Sequence, residues 1–68
     1  MKFTKDTRFY KTEKNLMKGL EKFGFTGNWA PSLIVETPQG WTAVFNGIAM
    51  HGRNLQPIII AHRGFVCI

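Results

Sequence analysis

Apolar residues recur at helical spacing in one stretch near the N-terminus, over residues 12–23. Four of them follow the i, i+1, i+4, i+7 pattern of a single helix face, and these are Leu16, Met17, Leu20 and Phe23. Thr12 has the side chain of a helix N-cap, and Gly24 suits the left-handed position that follows a helix. The pattern therefore predicts one amphipathic helix that begins near residue 12 and ends near residue 23.

After residue 31 the hydrophobic period changes to two, which is the period of a strand with one buried face. Residues 32–37 and 41–45 are predicted to form two strands that are joined by a turn at residues 38–40. Asn46 and Gly47 then form the pair most typical of a two-residue hairpin, because a type I′ turn needs positive φ at both positions. The sequence thus predicts a returning strand over residues 48–51.

Two continuous apolar runs, residues 58–61 and 65–68, predict a final hairpin that is buried on both faces. The expected fold class is α+β, with the N-terminal helix packed on an antiparallel meander of four to five short strands. One helix is too narrow to cover both faces of such a sheet. Three covers remain open for the second face: the N-terminal segment with Phe3 and Phe9, closure of the sheet into a small barrel, or another chain. The last of these includes a homodimer that forms through the apolar sheet face.

Length, composition and charge narrow the class of protein. The chain has 68 residues, of which 44% are hydrophobic and 13% aromatic, so it has the composition of a globular domain and the length of a single one. Its net charge is +5, and residues 1–28 carry seven of the nine basic side chains. We expect one small basic domain over residues 1–68, with nucleic acid or an acidic protein surface as its partner.

The basic side chains of the predicted helix lie opposite its apolar face. On a helical wheel one row contains Lys11, Lys14, Lys18 and Lys22. Neighbouring lysines in such a row repel one another by about 0.2–0.5 kcal/mol per pair, so an all-lysine row favours a polyanion partner. Lys5 and Arg8, together with Lys2, extend this candidate nucleic-acid-binding site. An ordinary solvated helix face is the alternative interpretation.

Aromatic residues are interleaved with these basic residues. Phe3, Phe9 and Tyr10 lie among them, and Trp29 and Trp41 lie in or beside the predicted sheet. Exposed aromatic rings stack on the bases of single-stranded nucleic acids. A chain of this length also needs aromatic residues for its core, so we expect most of the nine to be structural.

Few side chains are candidates for catalysis or metal binding. His51, His62 and Cys67 lack the paired spacing of a zinc site, so no metal or other cofactor is expected. Cys67 lies in an apolar run, which predicts a buried and unreactive thiol. The one enzymatic alternative is a metal-independent ribonuclease, with the two histidines as general base and acid and with Arg53 or Arg63 stabilising the transition state.

The leading interpretation is a non-enzymatic nucleic-acid-binding module that uses the lysine row. The alternative is a small protein-binding effector or inhibitor, for example a virus-encoded one, that docks on a larger host enzyme. The single cysteine cannot form an internal disulfide, so a reducing compartment, the cytoplasm, is expected. Every apolar run is far shorter than the ~20 residues of a membrane helix, so no membrane association is expected.

Overall fold

The computed structural model describes residues 3–68, which form three helices and a three-stranded sheet. In chain order the elements are α1 (Glu13–Lys22), β1 (Leu33–Thr37), β2 (Gly40–Phe45), α2 (Gly47–Gly52), α3 (Pro57–His62) and β3 (Val66–Cys67), with a 3-10 turn at Gly27–Trp29. The sheet has the order β1-β2-β3; β1 and β2 are antiparallel, whereas β2 and β3 are parallel. The α+β class is confirmed. The predictions of four to five strands and of an all-antiparallel meander are wrong, and the sheet is not closed into a barrel, which was one of the open alternatives.

Helix α1 lies within the predicted span and is capped at both ends. The hydroxyl of Thr12 accepts a hydrogen bond from the Asn15 N–H at 3.1 Å. Leu16 and Leu20 are buried, but Met17 is 45% exposed, so the buried face is narrower than the sequence predicted. Gly24 follows the C-cap residue Phe23, and its φ of +79° lies in the left-handed region. Within residues 3–68, no helix is long and apolar enough to cross a membrane.

All three helices end in the same Schellman motif, in which an apolar residue just beyond the helix returns to the core. After α1, the Phe25 N–H donates to the Leu20 carbonyl at 2.8 Å. The corresponding pairs are Leu55 with Met50 at 2.9 Å after α2, and Phe65 with Ile60 at 3.3 Å after α3. Leu20, Met50 and Ile60 are each almost fully buried, and the core cluster contains all three. At each helix end, the last buried apolar residue of the helix and the apolar residue just beyond it therefore pack in the same core.

Asn46 and Gly47 do not form the predicted hairpin turn. Asn46 is instead the N-cap of α2, and its side-chain oxygen accepts a hydrogen bond from the Ala49 N–H at 3.0 Å. The residues predicted as a returning strand form α2, which packs against α3. Asparagine is favoured both in tight turns and at helix N-caps, so the dipeptide alone does not separate the two structures.

The predicted final hairpin is also absent from the described fold. Pro57 occupies the first turn of α3, so residues 58–61 are helical. Only Ile60 of this run is buried, whereas Ile58 is 64% and Ile59 43% exposed. Of residues 65–68, Val66 and Cys67 form β3, which pairs in parallel with the end of β2. Parallel strands need a crossover connection, and α2 and α3 supply it.

The core lies on the face of the sheet from which Ala43 and Phe45 project, and it is rich in aromatic rings. The Phe45 ring packs against Phe25 and Phe65 at centroid distances of 5.3 and 5.7 Å. Leu20 belongs to the buried cluster, and Phe23 and Trp41 pack against it, so helix α1 and strand β2 share one core.

The N-terminal segment lies against the sheet and ties it to the C-terminal part of the chain. Tyr10 exchanges two backbone hydrogen bonds with Trp41, at 2.8 and 2.7 Å, and the Arg8 N–H donates to the Gly64 carbonyl at 2.7 Å. Phe3 and Phe9 contact each other edge to face at 5.3 Å. The N-terminal segment therefore lies beside β2 through backbone bonds, and the sheet of the described residues does not close into a barrel.

Thr42 carries a buried hydroxyl that has no hydrogen-bond partner among the described residues. Leaving a buried polar group unpaired costs about 1–3 kcal/mol. We therefore expect Thr42→Val to raise the free energy of unfolding by about 1 kcal/mol, measured by urea denaturation. Thr37→Val is the matched control in the same sheet, because the Thr37 hydroxyl donates to the Gly40 carbonyl at 3.0 Å and accepts from the Gln39 N–H. The control should be destabilised, and stabilisation of both variants would contradict the assignment.

Candidate nucleic-acid interface

The predicted lysine row is exposed along α1. Lys14, Lys18 and Lys22 follow one another at four-residue intervals, which places neighbouring Cβ atoms about 5–6 Å apart. Lys11 is exposed as well, but it precedes the N-cap Thr12, so it does not belong to the helical row as predicted. The row on the helix therefore has three lysines, with Lys11 just before its N-terminal end.

One flank of this row is occupied by Tyr10. A Cβ atom built on Gly19 would lie 2.6 Å from the Tyr10 hydroxyl oxygen. The Tyr10 ring therefore packs directly on the helix backbone at Gly19, in the space that any larger residue would fill. The Arg8 guanidinium carbon lies 6.0 Å from the centre of the same ring. Tyr10 thus holds the exposed Arg8 side chain beside α1.

The same flank carries Arg63 one turn further along. Phe23 is the C-cap of α1, and the Arg63 guanidinium carbon lies 4.9 Å from the centre of its ring. Arg63 is itself the C-cap of α3, so the C-terminal ends of the two helices meet at this contact. A cation at a helix C-terminus is favoured by the helix dipole. The sequence suggests a role for Arg63 only in the ribonuclease alternative, and no local sequence pattern places it beside the lysines.

Gly64 brings the two arginines together. Its carbonyl accepts the Arg8 N–H, and a Cβ atom on Gly64 would lie 2.7 Å from the Arg8 Cβ. Arg8 and Arg63 are far apart in the sequence, yet both are exposed on one side of α1. We call the surface formed by these residues the basic surface, and it comprises Lys14, Lys18, Lys22, Arg8 and Arg63.

The two flanks of the lysine row differ in charge. At about 100° per residue, Gly19 and Phe23 lie on one side of the row, whereas Glu13 and Glu21 lie on the other, with Met17. The arginines therefore widen the basic surface on the side that the helix leaves free of acids. Beyond Arg63, Asp6 lines a groove with His62, so an acidic residue borders the far edge.

Lys5 lies in the N-terminal segment that precedes Arg8. It is exposed in a turn closed by the Thr7 N–H donating to the Thr4 carbonyl at 3.1 Å. Lys2, the other predicted extension of the site, lies outside the described residues.

Most of the aromatic rings are used by the core. Six of them belong to the buried cluster or pack against it, namely Tyr10, Phe23, Phe25, Trp41, Phe45 and Phe65. Trp29 stands apart and is 42% exposed. Its indole N–H donates to the Arg53 carbonyl at 2.9 Å, and the Arg53 side chain donates to the Asn28 carbonyl at 3.0 Å. These reciprocal bonds fix an exposed indole between the 3-10 turn and the end of α2.

The two histidines lie in different places. His51 lines a groove with Pro57, at the start of α3, whereas His62 lies at the other end of that helix, in a groove with Asp6. Burial raises the pKa of the Cys67 thiol above its usual value. Within residues 3–68 no group of three or more His, Cys, Asp or Glu side chains is placed to hold a metal ion.

The arrangement of charges on α1 is therefore the feature that bears most directly on function. It joins a helical row of lysines to two arginines that are held against aromatic rings. Comparison with protein-family models, with curated proteins and with solved structures finds no match to this chain.

Proposed function

We propose that this protein binds nucleic acid through its basic surface, without catalysis. The observation that carries the proposal is the convergence of Arg8 and Arg63 on the flank of the lysine row to which α1 itself contributes no acidic residue. An ordinary solvated helix face does not require neighbouring arginines, because exposed charges in water contribute little to the stability of the fold. The arginines contribute two further phosphate-binding groups to the lysine row.

The expected mode of binding is electrostatic. Lysines one helical turn apart neutralise phosphates without contacting base edges, and the release of condensed cations drives the association. Arginine side chains held over rings lose less freedom when they bind a phosphate, because the contact already restricts them. Binding is therefore expected to show weak sequence preference and strong salt dependence.

Neutralising part of the lysine row tests this mode. In the double variant Lys14→Gln/Lys18→Gln, the slope of log K against log salt concentration is expected to fall by about 1.4–1.8, since each phosphate contact contributes about 0.7 on single strands and 0.9 on duplexes. Fluorescence anisotropy with a labelled oligonucleotide at several salt concentrations measures this slope. Both lysines are exposed, so the fold should be unchanged.

A charge-matched control separates the basic surface from net charge alone. Ser32→Glu/Gln39→Glu changes the net charge by the same two units at exposed positions before β1 and in the β1–β2 turn. It should bind more tightly than the lysine variant and retain the wild-type slope. Equal loss in both variants, or no measurable binding by the wild type, would contradict the proposal.

A small protein-binding effector or inhibitor remains the second candidate, favoured by the large exposed apolar side chains of α2 and α3. Ile48 is 87% and Ile58 64% exposed, more than a nucleic-acid contact requires. Capture from lysate with and without nuclease separates the two candidates, because a protein partner survives nuclease treatment. Either function suits a reducing compartment such as the cytoplasm, in which the free thiol of Cys67 is stable.

The ribonuclease alternative receives less support from the placement of the histidines. General acid and base groups must reach one scissile phosphate together. His51 and His62 line separate grooves near opposite ends of α3, so the proposed activity does not include cleavage.

A further inference from the structure

An exposed indole is held in a fixed position at Trp29, between the 3-10 turn and the end of α2. Its N–H donates to the Arg53 carbonyl at 2.9 Å, and the Arg53 side chain donates to the Asn28 carbonyl at 3.0 Å. Trp29 is 42% exposed, and among the described residues it belongs neither to the buried cluster nor to the residues packed against it. The core therefore does not explain a tryptophan at this position.

The two segments that hold Trp29 carry positive charge and no negative charge. Residues 22–35 contain the 3-10 turn and residues 37–68 contain α2, and neither range has an aspartate or a glutamate. Their charged side chains are Lys22, Arg53 and Arg63. The bond to Asn28 uses one of the five N–H donors of the Arg53 guanidinium, which leaves others for a phosphate. A fixed aromatic ring beside a cation is the combination that binds a nucleotide of a single strand.

Trp29 lies within reach of a strand that is bound to the basic surface. Phe23, the C-cap of α1, contacts Arg63 of that surface. Trp29 is six residues further along the chain, so the Cα atoms of Phe23 and Trp29 are at most about 22 Å apart. Nucleotides of one stacked strand follow one another at about 3.4 Å, so about six of them cover this distance. A short oligonucleotide is therefore long enough to contact both places.

We propose that Trp29 stacks on an unpaired base, so that the nucleic acid preferred by the basic surface is single-stranded. This inference rests on the proposed function and names its substrate class. A base inside a duplex is already stacked between its neighbours, whereas an unpaired base is free to lie on an aromatic ring. Stacking accepts every base, which agrees with the weak sequence preference expected above. A ring that is already held by a hydrogen bond loses little further freedom when a base stacks on it.

Two substitutions separate stacking from the hydrogen bond that Trp29 makes. Trp29→Phe and Trp29→Leu both remove the indole N–H and its bond to Arg53, but only phenylalanine keeps an aromatic ring. Their melting temperatures should therefore be similar. Binding is measured by fluorescence anisotropy with a labelled oligothymidine of about twelve nucleotides, which is longer than the 32 Å molecule. Trp29→Leu should bind it about tenfold more weakly than Trp29→Phe, with an unchanged salt slope because no phosphate contact is lost.

A duplex of the same length is the control for the strand. The wild type should bind oligothymidine more tightly than this duplex, because only the single strand offers a base to Trp29. The wild type and both variants should bind the duplex equally, since its phosphates are contacted by the basic surface alone.

Tryptophan fluorescence locates the contact. The chain has two tryptophans, and Trp41 is held within β2, where it exchanges two backbone bonds with Tyr10. Oligothymidine should quench the emission of the wild type, because a base in contact with an indole quenches it. Trp29→Phe retains Trp41, so it should lose most of this quenching while it still binds. The duplex should quench neither protein.

Three results would each overturn this inference alone. They are equal affinities of Trp29→Leu and Trp29→Phe for oligothymidine, wild-type binding without quenching, and equal wild-type affinities for oligothymidine and duplex. In each of these cases the lysine-dependent salt slope would still support the proposed function. Failure of the wild type to bind either probe would overturn the inference together with the proposed function.

Discussion

Replacing Leu20 with alanine is expected to lower the free energy of unfolding by about 2–5 kcal/mol. Leu20 is 1% exposed and lies in the core cluster on the inner face of α1, so the truncated side chain would leave a cavity. Its carbonyl also accepts the Phe25 N–H in the Schellman motif, which fixes the position of the cavity walls. A chain of this length has a total stability of about 3–10 kcal/mol. The loss is therefore a large share of the total stability, and the urea midpoint of the variant should fall accordingly.

Met17→Ala is the control for the Leu20 prediction. Met17 lies on the same helix and was predicted to share the same apolar face, but it is 45% exposed. Alanine also has the higher helix propensity, so the loss of contacts should be small. We expect a change in unfolding free energy of less than about 1 kcal/mol. Similar losses in both variants would show that α1 is rotated relative to the described structure.

The second large effect is expected at Gly64. Gly64→Ala should destabilise the fold by about 2–4 kcal/mol, because it combines two costs. Its φ is +91°, which an L-residue adopts only with strain. In addition, the new Cβ would lie 2.7 Å from the Arg8 Cβ and 3.2 Å from the Arg8 nitrogen, so the N-terminal segment must move away. The melting temperature measured by circular dichroism should fall accordingly.

Gly24→Ala isolates the conformational part of that effect. Gly24 has a φ of +79° at the corresponding position after α1, but a Cβ there would meet no atom within 4 Å. Its cost should be about 1–2 kcal/mol, the strain of a left-handed alanine alone. Gly64→Ala should also weaken the binding of nucleic acid relative to Gly24→Ala, because only the former displaces Arg8. Equal losses of stability would contradict the described packing of Arg8 on Gly64.

Local sequence signals were sufficient to predict those elements whose structure depends on residues that are close together in the sequence. Thr12 and Gly24 mark the limits of α1 because capping bonds involve residues only three to five positions apart. The β1–β2 hairpin was also predicted within a residue of its observed limits, since its strands are joined directly by a short turn. The placement of the lysine row followed from the same helical periodicity.

The C-terminal half differs from the prediction because its signals have two local solutions. A four-residue isoleucine-rich run is equally compatible with a strand and with one helical turn, and periodicity does not separate them over so short a length. Pro57 at the first turn and Gly64 beyond the end are helix signals that outweigh the β preference of isoleucine here. Asn46 likewise caps a helix in this chain.

The arginine part of the basic surface could not be predicted from the sequence. Arg8 and Arg63 come together because the N-terminal segment bonds to Gly64, and that contact exists only in the folded chain. The aromatic residues that orient the two arginines are separated in the same way. A sequence pattern reports neighbours along one element, whereas this surface joins three segments.

The hydrogen bond between Arg8 and Gly64 also gives the folding reaction an order in time. It closes a loop that contains most of the chain, and the entropy lost in closing a loop grows with its length. Helix α1 and the β1–β2 hairpin need only local contacts, so they are expected to form before this loop closes. During synthesis the Arg8 N–H can form this bond only after Gly64 has emerged from the ribosome. The basic surface is therefore complete only after residue 64 has been synthesised and this bond has formed.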